Sequence, residues 1–356
     1  MKILIVKLSA IGDVIHTLPA VNALRAHYPG AHIAWVAEEA AAPLVKGHPA
    51  LDRVIVSGRK RWAEALRSGY RRQETLREIG RFLRDLRDTR YDLVIDFQQL
   101  LKSGAVTALA RGGVKVGFGP GMQHMEMSYL FLNRRIPSVS MEHHALSRNL
   151  MLLRALGVPA SRIVYRLPMD AVDHEAAAAL LKQAGIAGDR PLVAVNPVAQ
   201  WKTKLWPNHR FAALADRLIH DHGVDIVFTG GPDDRPTVAD ILSRMRRKAG
   251  DLTGQTTLRT LAALYRRARM VISTDTGPMH LSAAVETPVV AIFGPTAPWR
   301  TGPFGPGHAV VRLGPSCSPC FKRSCPRGDH LCMTGLDVDA VLKAVTRPGM
   351  KPIRRL

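Results

Sequence analysis

The feature that most constrains this chain is a repeating pattern: a short, almost wholly apolar run, a turn of small or polar residues, then apolar residues at helical spacing. A run that is apolar on both faces must be buried on both faces, as the strands of a parallel sheet are, and the intervening helices supply the crossovers. The first series opens at Ile3-Leu4-Ile5-Val6, turns through Ser9-Ala10-Ile11-Gly12-Asp13, and continues as an amphipathic helix with Val14, Ile15, Leu18, Val21 and Leu24. Tyr28-Pro29-Gly30 ends that helix and residues 32–37 (HIAWVA) form the next strand. A charged helical stretch from about Glu64 to Arg87 leads to a strand at 91–96 (YDLVID), with a further short strand at 114–118. A second series has strands at 191–196, 224–228, 270–273 and 288–293, with helices over about 209–220 and 278–284. The pattern predicts two doubly wound α/β units joined somewhere in residues 165–190.

With 356 residues, 46% of them hydrophobic, the chain is long enough for two such cores. No run of eighteen apolar residues predicts a membrane span, and Lys7 and Asp13 spoil the opening segment as a signal peptide, so a cytoplasmic protein is expected. Charge is the unusual quantity. Lys and Arg number 50 against 29 Asp and Glu, a net +21, which points either to a polyanionic partner or to a simply arginine-rich composition. Nucleic acid is not expected, because the cations are dispersed over clusters such as Arg59-Lys60-Arg61, Arg71-Arg72, Arg266-Arg267 and Arg354-Arg355, and aromatics are only 6%. An anionic membrane surface and phosphorylated substrates remain.

Ligands of open α/β sheets bind where strands end, and three polar clusters fall there. In the first, Gly12 is expected to permit a tight turn and Asp13 to start a helix, either as a reactive carboxylate or as a cap. The second is the loop 196–207 (NPVAQWKTKLWP), whose Lys202 and Lys204 are either anion ligands or a solvated pair. The third is residues 273–280 (STDTGPMH). Thr276 and Gly277 would present free amides to an anion, or else Asp275 caps a plain turn with His280 buried behind it. None has the spacing of G-x-G-x-x-G or a Walker A loop.

Read together, "ILIVKLSAIGDVIHTLPAV", "YDLVIDFQQLLKS", "KLWP" and "STDTGPMHLSAA…TPVVAIFGPT" resemble, in order and over nearly the whole chain, the ADP-heptose glycosyltransferases of the lipopolysaccharide inner core. Arg61-Trp62 and residues 91–103 are more similar to the members that add the first heptose to Kdo. Met125-Glu126, with His124 adjacent, stands where those members tend to carry Arg-Glu. The resemblance implies the GT-B fold, two facing Rossmann-like domains with mostly parallel sheets: residues 1–170 for the acceptor, 185–340 for ADP-heptose, and a tail over 341–356. It implies an inverting enzyme that moves L-glycero-D-manno-heptose to the Kdo region of lipid A with no catalytic cofactor. Asp13 would be the general base beside Gly12, and Lys204 would hold the diphosphate. Asp275 would bind the sugar, Thr276 and Gly277 the phosphates, with His280 alongside and Asp234 toward the ribose. The phosphorylated, carboxylate-bearing acceptor would give the positive charge a use at the inner face of the inner membrane. A related heptosyltransferase using another acceptor, or a nucleotide-binding module without catalysis, is the alternative.

The only four cysteines, Cys317, Cys320, Cys325 and Cys332, fall in one short segment. In a reducing compartment such a cluster reads as a structural zinc or iron site, with reduced thiols or disulfides as the other readings. This tail is more similar to second-heptose members than to first-heptose ones.

Overall fold

The computed structural model describes residues 1–122 and 126–347. The expectations at His124 and Met125, at Arg354-Arg355 and over residues 348–356 of the tail lie outside the described residues. The chain divides into two compact units, Met1–Pro168 and the part from Met169 onward.

Each unit is built on a six-stranded sheet, parallel throughout. In the first unit these are β1 (Lys2–Val6), β2 (His32–Glu38), β3 (Arg53–Ser57), β4 (Tyr91–Asp96), β5 (Gly112–Phe118) and β6 (Arg134–Ile136), in the order β3-β2-β1-β4-β5-β6. In the second they are β7 (Leu192–Asn196), β8 (Asp225–Phe228), β9 (Gly250–Asp251), β10 (Met270–Thr274), β11 (Val289–Ile292) and β12 (Ala309–Val311), in the order β12-β11-β10-β7-β8-β9. Read from the other edge, the second order repeats the first. Both are the 3-2-1-4-5-6 arrangement of a doubly wound dinucleotide-binding fold.

The central strands are the apolar runs singled out above. Ile3, Leu4, Ile5 and Val6 are fully buried, as are Val271, Ile272 and Val289 to Ile292. Leu4, Val6 and Leu8 pack with Val94, Phe82 and Leu86 in one core; Val193, Ile226, Phe228, Ile272 and Trp206 anchor the other. The helix Val338–Thr346 buries Val341, Leu342 and Val345 in that second core. Among the described residues no helix is long and apolar enough to cross a membrane.

Differences from the sequence reading fall at edges and breaks. Strands β3, β6, β9 and β12 carry apolar runs of three residues or fewer, because each lies at an edge of its sheet, where one side is open. The single opening helix is two, Ile11–Ile15 and Leu18–His27, with Pro19 starting the second, where its missing N–H costs nothing. The charged stretch is also two helices, Arg59–Ser68 and Arg72–Arg87, parted by Gly69 at φ +75°. Glycine tolerates that left-handed conformation without a steric cost.

Leu4→Ala would leave a cavity in the first core. We expect it to lower unfolding stability by about 2–5 kcal/mol in urea titration.

Candidate functional site

In the first unit the order of strands reverses between β1 and β4, whose last residues, Val6 and Asp96, are paired. The segments that follow, from Lys7 and from Phe97, therefore leave the sheet side by side. Gln98 ties them: its Oε1 accepts the N–H groups of Leu8 and Ser9 at 2.7 and 3.0 Å, and its Nε2 donates to the Ser9 carbonyl. Asp96 is buried, and burial pushes its carboxyl up against the pull of donors from Gln98, Gln99 and Ser103 at 2.8–3.1 Å. Glu38 at the end of β2 is also buried. Burial opposes its ionisation, yet Arg59 at 2.9 Å and Lys102 at 3.2 Å hold its carboxyl below the usual range.

Helix Ile11–Ile15 begins on this loop. Gly12 is buried inside the helix and not in a preceding turn, a correction to the expected role, because the helix starts one residue earlier. Asp13 is half-buried in the first turn, and its Oδ2 accepts the Ala10 N–H at 3.1 Å. Its Oδ1 makes no hydrogen bond among the described residues, so one carboxylate oxygen caps while the other is available to a ligand. Asp13 lines a cavity of about 190 Å³ together with Lys7, Gln98, Arg148 and Asn149.

In the second unit the corresponding reversal is between β7 and β10, where Asn196 pairs with Ser273. The loops after these strands bring together two of the predicted residues. Lys204, on the turn Lys202–Lys204, forms an ion pair with Asp275 at 2.6 Å and donates to its carbonyl at 3.3 Å. Lys202 is exposed, whereas the Lys204 side chain is only 16% exposed and that of Asp275 6%, so the solvated-pair reading does not describe Lys204. Thr296 donates to the same Asp275 oxygen at 2.6 Å. With its carboxylate so engaged, Asp275 is not the cap of the next helix. Thr276 takes that position in extended backbone, without a side-chain capping bond. The first amides of Gly277–Ala284 are thus left as a positive end beside a lysine, which suits a diphosphate. His280 is buried on this helix. Asp234 follows β8, one strand further out, and its carboxylate accepts the Gly231 N–H at 2.8 Å.

Several residues were not singled out as site residues from sequence. The Lys204 ammonium and the Arg323 guanidinium both lie over the ring of Trp201, at 4.6 and 5.3 Å. Thr203 donates to the Lys322 carbonyl at 2.9 Å, and the Cys320 and Phe321 N–H groups bond the Pro295 carbonyl. The cysteine segment is therefore packed on the Lys204 turn, despite its distance in sequence. Its four thiols are free and line one narrow cavity. The expected zinc or iron site is not assembled: among the described residues no three His, Cys, Asp or Glu side chains form a group that could hold an ion. Cys332 packs against the second core, where burial pushes its thiol up, while backbone donors led by that of His330 pull Cys325 down. Of the missed residues only Lys7, a cation directly after a buried strand, carried a sequence signal.

The family model for glycosyltransferase family 9 (heptosyltransferase) matches residues 79–330. Lipopolysaccharide heptosyltransferase 1 of Pseudomonas aeruginosa is 32% identical over 91% of this chain and 87% of its own, and that of Escherichia coli K12 is 30% identical over 88% and 93%. The structure of E. coli heptosyltransferase WaaC with ADP superposes with a TM-score of 0.76 at 28% identity, covering 96% of this chain and 98% of that one.

Thr296→Val keeps the shape but removes a donor from a buried carboxylate. A loss of about 1.5–3 kcal/mol in urea titration is expected, the usual size for a hydrogen bond to a charged group.

Proposed function

Since this chain belongs to glycosyltransferase family 9, the heptosyltransferases, and is a glycosyltransferase of the GT-B type, we propose that it transfers L-glycero-D-manno-heptose from ADP-heptose to the Kdo region of lipid A. Heptose transfer in lipopolysaccharide core synthesis accords with the first-heptosyltransferase relatives. The observation that carries the donor half is the buried Lys204–Asp275 pair beside an uncapped helix start, at the switch point of the second sheet. ADP in the superposed E. coli enzyme supports the same reading.

In this reading the first unit takes the acceptor and the second the donor. Asp13 accepts the proton of an acceptor hydroxyl through its available oxygen. The hydroxyl oxygen bonds to the anomeric carbon as the bond to the ADP oxygen breaks from the opposite face, and the configuration inverts. The electron pair leaves with ADP. Lys204 and the amides of Thr276 and Gly277 stabilise the charge that develops on the diphosphate, so no metal is needed for that step. Asp275 turns from Lys204 toward heptose hydroxyls when the diphosphate takes the lysine. Asp234 serves the ribose, with Gly12 and His280 shaping the two pockets. The net +21 concentrates the enzyme at the anionic inner face of the inner membrane, where its acceptor lies. An acceptor that already bears one heptose is the second reading, suggested by the cysteine tail; weighing products from Kdo and heptosyl-Kdo acceptors separates the two.

Asp13→Ala should leave ADP-heptose binding nearly intact and lower turnover by about 100-fold or more, as for a lost general base. Near-normal turnover would return Asp13 to its capping role alone. Calorimetry separates the other two residues: Lys204→Ala should weaken ADP itself, and Asp275→Ala should weaken ADP-heptose more than ADP. Equal losses of both ligands in both variants contradict the division of roles.

A further inference from the structure

The cysteine segment is the part of the second unit that the roles above leave without a use. The chain's only four cysteines stand within residues 317–332, and all four are free and line one narrow cavity of about 20 Å³, room for a single water-sized molecule. Thiols gathered around so small a space can react with one another, because two that reach each other are one two-electron oxidation away from a disulfide.

Cys320 and Cys332 are the pair that meets on the loop after β11. The Cys320 N–H donates to the Pro295 carbonyl at 3.0 Å. The Cys332 sulfur lies against Gly294, where a Cβ would come within 3.1 Å of it, and its short helix, Leu331–Thr334, is pinned to the second core through the fully buried Met333. The same loop continues into Thr296, whose hydroxyl donates to Asp275 at 2.6 Å. On the other flank, the residues just after Cys320 hold the Lys204 turn: Thr203 donates to the Lys322 carbonyl at 2.9 Å, and Arg323 shares the Trp201 ring with Lys204. Burial pushes the Cys332 thiol up, and the sulfurs of Cys320, Cys317 and Cys325 add to the push in that order. Cys320 is thus foremost among the sulfur neighbours of Cys332, and Cys332 is the member of the pair that keeps its proton.

We propose that Cys320 and Cys332 are a peroxide-sensitive dithiol whose closure to a disulfide lowers the affinity of the neighbouring Lys204–Asp275 site for ADP. The inference rests on the donor role given above to that site and adds a control to it. The Cys320 thiolate attacks one oxygen of hydrogen peroxide, the O–O bond breaks, and hydroxide leaves with the electron pair and takes up the proton that Cys320 released; the product is the Cys320 sulfenic acid and one water. The Cys332 sulfur then attacks the Cys320 sulfur, and its proton leaves with the sulfenic oxygen as a second water. Two thiols are oxidised and one peroxide is reduced. Because Cys332 is held by the core, it is residues 320–323 that shift when the bond closes. With them go the acceptor of Thr203 and the second cation on Trp201, and Lys204 loses the support that sets it against Asp275.

The test takes the full chain, reduced with dithiothreitol and then freed of it, treats it with hydrogen peroxide, and reads both the bond and the binding. Peptide mapping by mass is expected to find a Cys320–Cys332 disulfide, and calorimetry an ADP affinity about 5- to 10-fold weaker than that of the reduced protein, at the lower end of the usual coupling between two sites. Dithiothreitol should restore the affinity, as it would not after methionine oxidation. Cys320→Ser and Cys332→Ser should each bind ADP as the reduced wild-type protein does and keep that affinity in peroxide; Cys320→Ser carries the test alone if Cys332→Ser does not fold. Absence of the disulfide, equal ADP affinity before and after oxidation, or elemental analysis that finds an ion held by the four sulfurs overturns the switch while the donor role stands. A reduced protein that does not bind ADP at all overturns the donor role, and the control with it.

Discussion

Parallel pairing dictates where chemistry can occur in this protein. All strands of a sheet end at the same edge, so every loop that can carry a polar side chain toward a ligand is gathered there. In each unit the order reverses at the central pair, β1–β4 and β7–β10, and the helices on the two sides wind away from each other. That leaves a crevice at the ends of two fully buried strands. Asp13 and Lys7 stand at one such place, Lys204 and Asp275 at the other. Because Val6 is registered on Asp96 and Asn196 on Ser273, a shift of one residue in either pairing would carry these groups to the wrong face.

Charges held at those edges are mostly satisfied by the protein itself. Asp96 has three donors, Glu38 has an arginine and a lysine, and Asp275 has Lys204 and Thr296. A buried ion pair adds little net stability over an apolar pair, and losing one partner is costly, so such groups are evidence of placement more than of stabilisation. Lys204 and Asp275 hold each other ready in the positions where a diphosphate and a sugar would replace their mutual contact. Lys7 is different: no carboxylate among the described residues lies within ion-pair distance of it, and its ammonium donates to the Phe97 carbonyl.

The cysteine segment shows how an apparently separate motif is drawn into a site. Bonds from Thr203 to Lys322 and from the Cys320 and Phe321 amides to Pro295 fasten it to loops at the carboxyl edge of the second sheet. Arg323 and Lys204 then share the ring of Trp201. The segment supports the position of Lys204 through packing and backbone hydrogen bonds. Its four thiols line one narrow cavity, in which Cys332 also packs against the second core and Cys325 sits in an amide-rich turn.

The amino-acid sequence by itself determined the α/β class, the central strands, the two-unit organisation and the family. Those features depend on local quantities: runs apolar on both faces, helical spacing, and motifs such as SAIGDV and STDTGPMH kept in order. It identified Asp13, Lys204 and Asp275 as candidates because each lies in a loop or turn that follows a strand and falls in a motif resembling the family's. Only the tertiary structure decided that Lys204 and Asp275 are a buried pair, that Thr296 secures it, that the cysteine segment lies on the Lys204 turn, and that the edge strands exist at all. Each of these is a contact between residues far apart in the chain, or a short strand stabilised by its neighbour's hydrogen bonds more than by its own composition. Gly12 and the helix breaks at Pro19 and Gly69 fall between the two: the residues were visible, but backbone conformation and the start of each helix settled what they do.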